Sequence, residues 1–456
     1  MDITRDPDAR LAVARDASGL ELIPEAVARA ATADDVVELI GIAAGTGATV
    51  TPAGSQTSMT GASITDRGIL LSLSAMNRIL DIDTKTATAR VEPGVTIGQL
   101  NRELAETGLM FAPDPTSEND ATIGGAIACN ASGARSLYYG ATRRHVNGVR
   151  VVHADESVAD YRRFHGEKTT VGYAAAQDPV DWFVGSEGTL GIVVEAELKL
   201  VRAPHHIVGL AIPFVTENSA LDFVVGAREG RSSRSARCLE FFDAQAMAIA
   251  AESIGAKWAA DAAAMIYLED DAGENGSVDS VLDAWLGLAE EFGAVVDEIR
   301  VFESAQPLRE ARAMRHSVPA TMNERGSAKM KNGGRKISTD WAVPYSRLRE
   351  ALAISEEAIA KHGAPMPVTY GHAGNGHPHQ NFIADNPEAI KVITGAIEET
   401  LKRVIEMGGT VSAEHGLGKL KQVWLGLQLS PRQIDVMRAI KNTLDPTCMF
   451  APGNVL

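Results

Sequence analysis

Apolar residues in the N-terminal third recur with two different periods. "TADDVVELIGIAAGTG" has helical spacing behind Thr32, an N-cap candidate followed by an acidic first turn, and glycines close the segment. "ATVTPAG" then reads as a short strand, and "GILLSLSAMNRILDID" and "TATARVEPG" read as strands around a turn. "TIGQLNRELAETG" predicts a capped helix ending at Gly108. "VRVVHADESVADYRRFHGE" predicts a hairpin, and "LGIVVEAELKLVRAP" a long strand closed by Pro204. Farther along, "NSALDFVVGARE" and "SVLDAWLGLAEEFG" read as helices, while "AAAMIYLED" and "AVVDEIRVF" read as strands. The tail "SPRQIDVMRAIKNTLDPTCMFAPGNVL" is a helix followed by a Pro/Gly turn. The pattern predicts a mixed domain over 1–204, an α+β domain over 205–425 and a C-terminal helical segment over 426–456. There is no internal repeat and no low-complexity segment.

Composition narrows the function classes. The chain has 456 residues, 45% hydrophobic and 22% charged, which is an ordinary globular mix. A formal net charge of −16 argues against nucleic acid or an anionic membrane as the main partner, while leaving room for a local basic pocket. No apolar run approaches the roughly 18 residues of a spanning helix. "MDITRDPDAR" lacks the apolar core of a signal peptide. Cys129, Cys238 and Cys448 lie far apart with no CxxC pair, so no thiolate-held cluster or zinc is expected. Each reads as a small buried hydrophobe, and a reducing cytoplasm fits.

Glycine clusters carry the first candidate chemistry. "VTPAGSQTSMTGAS" (50–63) places small and hydroxylated residues after a strand, where backbone N–H groups can face a phosphate. It is neither GxGxxG nor a P-loop. "PDPTSENDATIGGAIACNASGARSLYYG" (113–140) and "VGSEGTLGIVVEAELKL" (184–200) are two further Gly-rich segments, more than turns alone require.

Histidines carry the second. "GHAGNGHPH" holds His372, His377 and His379, and "GGTVSAEHGLGK" adds Glu414 and His415. Imidazoles and a carboxylate suit Zn²⁺ or Mn²⁺, and two nitrogens with one oxygen leave positions open, as in a catalytic site. "LREARAMRHSVPATMNERGSAKMKNGGRKISTDWAVP" (308–344) supplies cations for a carboxylate ligand in an acidic chain.

Together these segments resemble the vanillyl-alcohol oxidase superfamily, nearest the FAD-dependent D-lactate, glycolate and D-2-hydroxyglutarate dehydrogenases. The resemblance implies a two-domain α+β fold with a PCMH-type FAD-binding domain and a substrate (cap) domain. It implies that Pro52, Gly54, Ser55, Gln56, Thr57, Ser58 and Thr60 wrap the FAD pyrophosphate. Pro115, Thr116, Gly124, Gly125, Ser132, Gly133 and Gly140 would line the dinucleotide, and Gly191, Ile192 and Val193 would meet its adenosine side. His372, His379 and Glu414 match the family's metal ligands, and His415 its catalytic base. Arg315 and Lys336 match its carboxylate-binding cations, with Arg312, Arg325 and Arg335 as alternates. Ser132 stands where glycine is frequent, Asn375 for Asp, and His377 for Asn. His377 reads equally as a contact near the site or a bystander facing away.

The implied activity is oxidation of a D-2-hydroxy acid to the 2-oxo acid. Electrons would pass to an external acceptor, namely an electron-transfer flavoprotein, quinone or cytochrome. The competing readings are an oxidase using O₂ and a subunit of a multi-protein electron-transfer complex. A homo-oligomer is compatible with all three. The first loop holds neither His nor Cys, so FAD is expected to be non-covalent. Denaturation should therefore strip all flavin from the polypeptide, and flavin migrating with the denatured chain would refute this.

Overall fold

The computed structural model describes residues 2–230, 235–253, 255, 261–274 and 276–456. The chain forms two units: Met1–Gly133 with Gly140–Ala203 and Glu414–Leu456, and Ala134–Tyr139 with Pro204–Ala413.

In the first unit, one sheet runs in the order Ile3–Thr4, Ala26–Arg29, Ile69–Ser72, Val50–Ala53, the last three strands parallel. Helix Ala33–Thr46 packs on it. The Thr32 side chain accepts from Asp35 N in a capping box, and Gly47 ends the helix in the left-handed region. Its buried stripe of Val36, Leu39, Ile40 and Ala43 shares a core with Val50, Leu71, Met449 and Phe450. A second, antiparallel sheet runs Ile79–Asp83, Thr88–Val91, Ile192–Lys199, Val146–Val152, Val158–Arg162. Helices Ile97–Leu104 and Ile123–Cys129 close the core of that sheet.

The C-terminal helix Pro431–Leu444 leads into a turn held by one carboxylate. Asp445 accepts from Met449 N at 2.9 Å and Phe450 N at 2.8 Å, placing Phe450 beside Val50.

The second unit is a seven-stranded antiparallel sheet in the order Arg300–Glu303, Ile207–Phe214, Ala264–Asp271, Cys238–Asp243, Val368–His372, His377–Ala384, Arg335–Ser338. Helices Ala244–Ser253 and Ala305–Ser327 contribute to the apolar core on one face. That face also buries two carboxylates, Glu240 and Glu269. Burying an unpaired carboxylate costs several kcal/mol, so each needs partners. Glu269 accepts from Arg135 at 3.0 Å, Arg237 at 3.1 Å, Arg312 at 3.2 Å and the Tyr267 hydroxyl at 3.1 Å. Burial pushes its carboxyl up, but these guanidinium groups outweigh burial and hold it well below the usual carboxylate range.

Three expectations change. Residues 414–425 belong with the first unit, because the backbone after Glu414 is bonded there to Thr60 and Glu187. In "AVVDEIRVF" the strand is Arg300–Glu303, preceded by a 3-10 turn at Val296–Glu298 whose residues are exposed. Cys448 is exposed rather than buried, because it follows the Pro446–Thr447 turn with positive φ, whereas Cys238 is buried as expected. Among the described residues, no helix is long and apolar enough to cross a membrane.

Glu269→Gln leaves three arginines without their shared counter-charge and should cost ~3–5 kcal/mol in urea unfolding. Arg312→Met should cost about 1 kcal/mol or less, because that side chain is 37% exposed. The Glu269 contribution is full above the unfolded carboxyl range near ~4.3 and declines as pH falls below it. Equal losses from the two substitutions would overturn this ranking.

Candidate active site and metal centre

The histidine-rich stretch is a hairpin in the middle of the sheet. Val368–His372 pairs with His377–Ala384, and Tyr370 lies opposite His379, His372 opposite His377. Alternate residues of a strand share a face, and so do directly opposed residues. His372, His377 and His379 therefore point to one face, and all three are buried. Their ligand atoms lie within 4.8 Å of one another.

The register also places Glu240 on that face. His372 Nδ1 lies 2.7 Å from Glu240 Oε1, and Arg315 Nε donates to Glu240 Oε2 at 2.7 Å. Burial pushes the Glu240 carboxyl up, but His372 and Arg315 override burial and bring it to about 2. The Glu240 contact at Nδ1 fixes the ring of His372 so that Nε2 is directed to the other side. That Nε2 lies 3.4 Å from His379 Nε2. Two basic nitrogens facing each other suit a shared cation, and a buried carboxylate behind one imidazole is the usual support of a metal-ligating histidine.

His377 is not turned away. Its ring lies 4.4 Å from that of His379, and its Nε2 lies 3.2 Å from Asp340 Oδ1. Asp340 also accepts from Ser412 Oγ at 2.7 Å, and its carbonyl accepts from Ala413 N at 2.8 Å. Glu414 and His415 follow directly in the chain.

In the first unit, the loop carrying Glu414 and His415 meets three Gly-rich segments. Ser132 Oγ donates to Glu414 Oε1 at 2.8 Å. Thr60 Oγ1 donates to the His415 carbonyl at 3.3 Å. Glu187 accepts from Leu417 N and Gly418 N, both at 2.7 Å. Gly416 has φ +72, and a Cβ there would lie 2.5 Å from Glu187 Oε1.

All the expected flavin-cradle residues, from Pro52 to Val193, lie in this unit. Pro52 is the penultimate residue of the strand Val50–Ala53, and Gly54 follows that strand, where a Cβ would lie 2.2 Å from Thr122 Oγ1. Thr122 caps the helix holding Gly124 and Gly125. The close approach of these two loops therefore requires glycine at position 54. Ser55, Thr57 and Ser58 offer hydroxyl donors suited to a pyrophosphate. Gln56 serves the loop itself, its amide donating to the carbonyls of Val13 and Ser63. Pro115 and Thr116 begin a turn, Ser132 and Gly133 follow the helix, Gly140 has positive φ, and Gly191 leads into Ile192 and Val193 of a core strand.

Comparison with known proteins agrees with this geometry. Residues 24–161 match the family described as FAD binding domain, and residues 203–455 match FAD linked oxidases, C-terminal domain. The chain belongs to the FAD-linked oxidase family. This FAD-linked oxidase is 31% identical to the glycolate oxidase subunit GlcD of Bacillus subtilis (strain 168), over 95% of this chain and 89% of that protein. It is 29% identical to a D-lactate dehydrogenase of Archaeoglobus fulgidus, over 88% of this chain and 85% of the other. It is 27% identical to a D-2-hydroxyglutarate dehydrogenase of Stutzerimonas stutzeri, over 89% and 85%. Among solved structures, p-cresol methylhydroxylase with substrate bound shares the fold at a TM-score of 0.74 and 18% identity, covering 99% of this chain and 93% of that one. The FAD-linked oxidase thus has the two-domain architecture its motifs imply, and its first unit is an FAD-binding oxidoreductase domain.

Of the expected cations, Arg315 is buried against Glu240, and Lys336 Nζ donates to Asn323 Oδ1 at 2.5 Å. Burial pushes the Lys336 ammonium down to about 8. Arg312 is engaged by Glu269, and Arg325 lies 4.0 Å from Met322 Sδ. Arg335 alternates with Lys336 and so points to the opposite sheet face.

Four residues went unread in the sequence. Glu240 carried a usable signal, a charged side chain among the apolar residues of its strand; Asn381, Asp340 and Glu187 carried none. Asn381 is 1% exposed on the face of His379, and among the described residues neither of its amide atoms has a hydrogen-bond partner.

Gly416→Ala meets both a left-handed backbone and the Glu187 carboxylate, so it should destabilise by more than about 1 kcal/mol. Gly287→Ala, in a helix interior with nothing near its Cβ position, should stabilise by ~0.5–1 kcal/mol. Thermal unfolding distinguishes them, and an unperturbed Gly416→Ala would refute the tight fit of this loop.

Proposed function

We propose that this FAD-linked oxidase is a dehydrogenase of D-2-hydroxy acids. His372, His379 and Glu414 hold a divalent ion, Zn²⁺ or Mn²⁺, and His415 is the general base. The observation that carries this reading is the orientation of His372. The buried Glu240 carboxylate holds Nδ1 at 2.7 Å, and Nε2 faces Nε2 of His379 at 3.4 Å. The relatives' names support the substrate class, since glycolate, D-lactate and D-2-hydroxyglutarate are all 2-hydroxy carboxylates.

When bound, the metal supplies a Lewis acid and the flavin a two-electron acceptor. The protein's side chains do the rest. Arg315 and Lys336 receive the substrate carboxylate, with the buried Asn381 amide offering a donor and an acceptor on the same face. His415 takes the hydroxyl proton as C2 gives up hydride, leaving the 2-oxo acid. His377, 3.2 Å from Asp340, stands beside these ligands on the same sheet face. The electrons leave to an external acceptor.

Flavin bleaching under anaerobic conditions should follow a D-2-hydroxy acid and not its L enantiomer, and should be lost with chelator. His415→Ala should lower kcat by ~10²–10⁴ while keeping FAD, and unchanged turnover would remove His415 as base. Lys336 carries its charge below about 8, so KM should rise as pH passes that value. Lys336→Met should flatten this rise. A KM with the same pH profile in both proteins would exclude Lys336 from substrate binding.

A further inference from the structure

The loop carrying Glu414 and His415 is held by all three Gly-rich segments, and the contacts differ in kind. Thr60 fixes backbone: its hydroxyl meets the His415 carbonyl, and its own carbonyl accepts from Lys419 N at 2.9 Å and Leu420 N at 3.2 Å. Glu187 also fixes backbone, one carboxylate oxygen on Leu417 N and the other on Gly418 N. Ser132 instead reaches a functional side chain, its hydroxyl donating to Glu414 Oε1 at 2.8 Å.

We propose that Ser132 is a positioning residue for Glu414, setting the rotamer of that carboxylate before metal arrives. The proposal rests on reading Glu414 as a metal ligand. A glutamate loses several rotatable bonds' worth of freedom when it binds an ion, and a hydrogen bond already holding one oxygen removes part of that loss. The bond is charge-assisted, and Ser132 lies just after the Ile123–Cys129 helix, in a loop tied back by Thr142 Oγ1 to the Ala131 carbonyl at 2.7 Å. Neither glycine nor alanine at position 132 can make this contact. Ser132 is thus a point at which this chain tunes metal affinity by its own sequence.

The test uses the full-length, flavin-loaded chain stripped of metal and titrated with Zn²⁺ against a chromophoric chelator. Ser132→Ala and Ser132→Gly should weaken Zn²⁺ binding by ~10–100-fold, the usual effect of removing a ligand's supporting hydrogen bond. Ser132→Thr should restore it. Tm should match the parent in all three, and the loss of Zn²⁺ affinity should be seen at full flavin occupancy. Glu414→Gln is the control: if it leaves Zn²⁺ affinity unchanged, Glu414 is not a ligand and the reading beneath this proposal falls. If Glu414→Gln weakens binding and Ser132→Ala does not, the positioning role is overturned. It is equally overturned if Ser132→Ala loses flavin or Tm in step with affinity, since Ser132 is then structural.

Discussion

The second unit is organised around a carboxylate that apolar packing would otherwise exclude. Glu240 sits on a core strand, almost wholly buried, and its charge persists because Arg315 and His372 each take one oxygen. That sharing has two consequences. It brings the long helix Ala305–Ser327 against the sheet at one register, and it aims Nε2 of His372 at His379. A neutral residue of similar size would serve packing as well or better. The charge is understandable as support for chemistry on the same sheet face.

The first unit solves a different problem. Its Gly-rich segments lie far apart in sequence and carry few side chains with which to hold one another. Close approach of the loops replaces side-chain packing, as where Gly54 meets Thr122. Hydrogen bonds from Thr60, Ser132 and Glu187 then fix the segment after residue 414 on those loops. The same Gly-rich segments that are expected to face the cofactor thereby anchor the loop of Glu414 and His415.

The elements with strong local signals were legible. The helix behind Thr32 was marked by its cap and its apolar stripe, and the C-terminal helix by its Ser-Pro start. The Gly-rich and Glu-His motifs marked the candidate site, and the histidine-rich stretch marked a cluster of candidate ligands without revealing that it is a buried hairpin. Other features depended on partners hundreds of residues away. Whether residues 414–425 joined the second domain was decided by Glu187 and Thr60. Whether Cys448 was buried was decided by a turn.

By itself the sequence determined the donor set: imidazoles, a carboxylate, hydroxyl-rich loops and a basic segment in an acidic chain, which limit the chemistry because ligand type and charge are local properties. Tertiary structure decided which donors meet. Strand register put three histidines on one face and gave His372 to Glu240, while loop packing gave His377 to Asp340 and turned Ser132 toward Glu414. Register and pairing are set by the packing of distant strands and helices against a common core, and no window of sequence contains both partners.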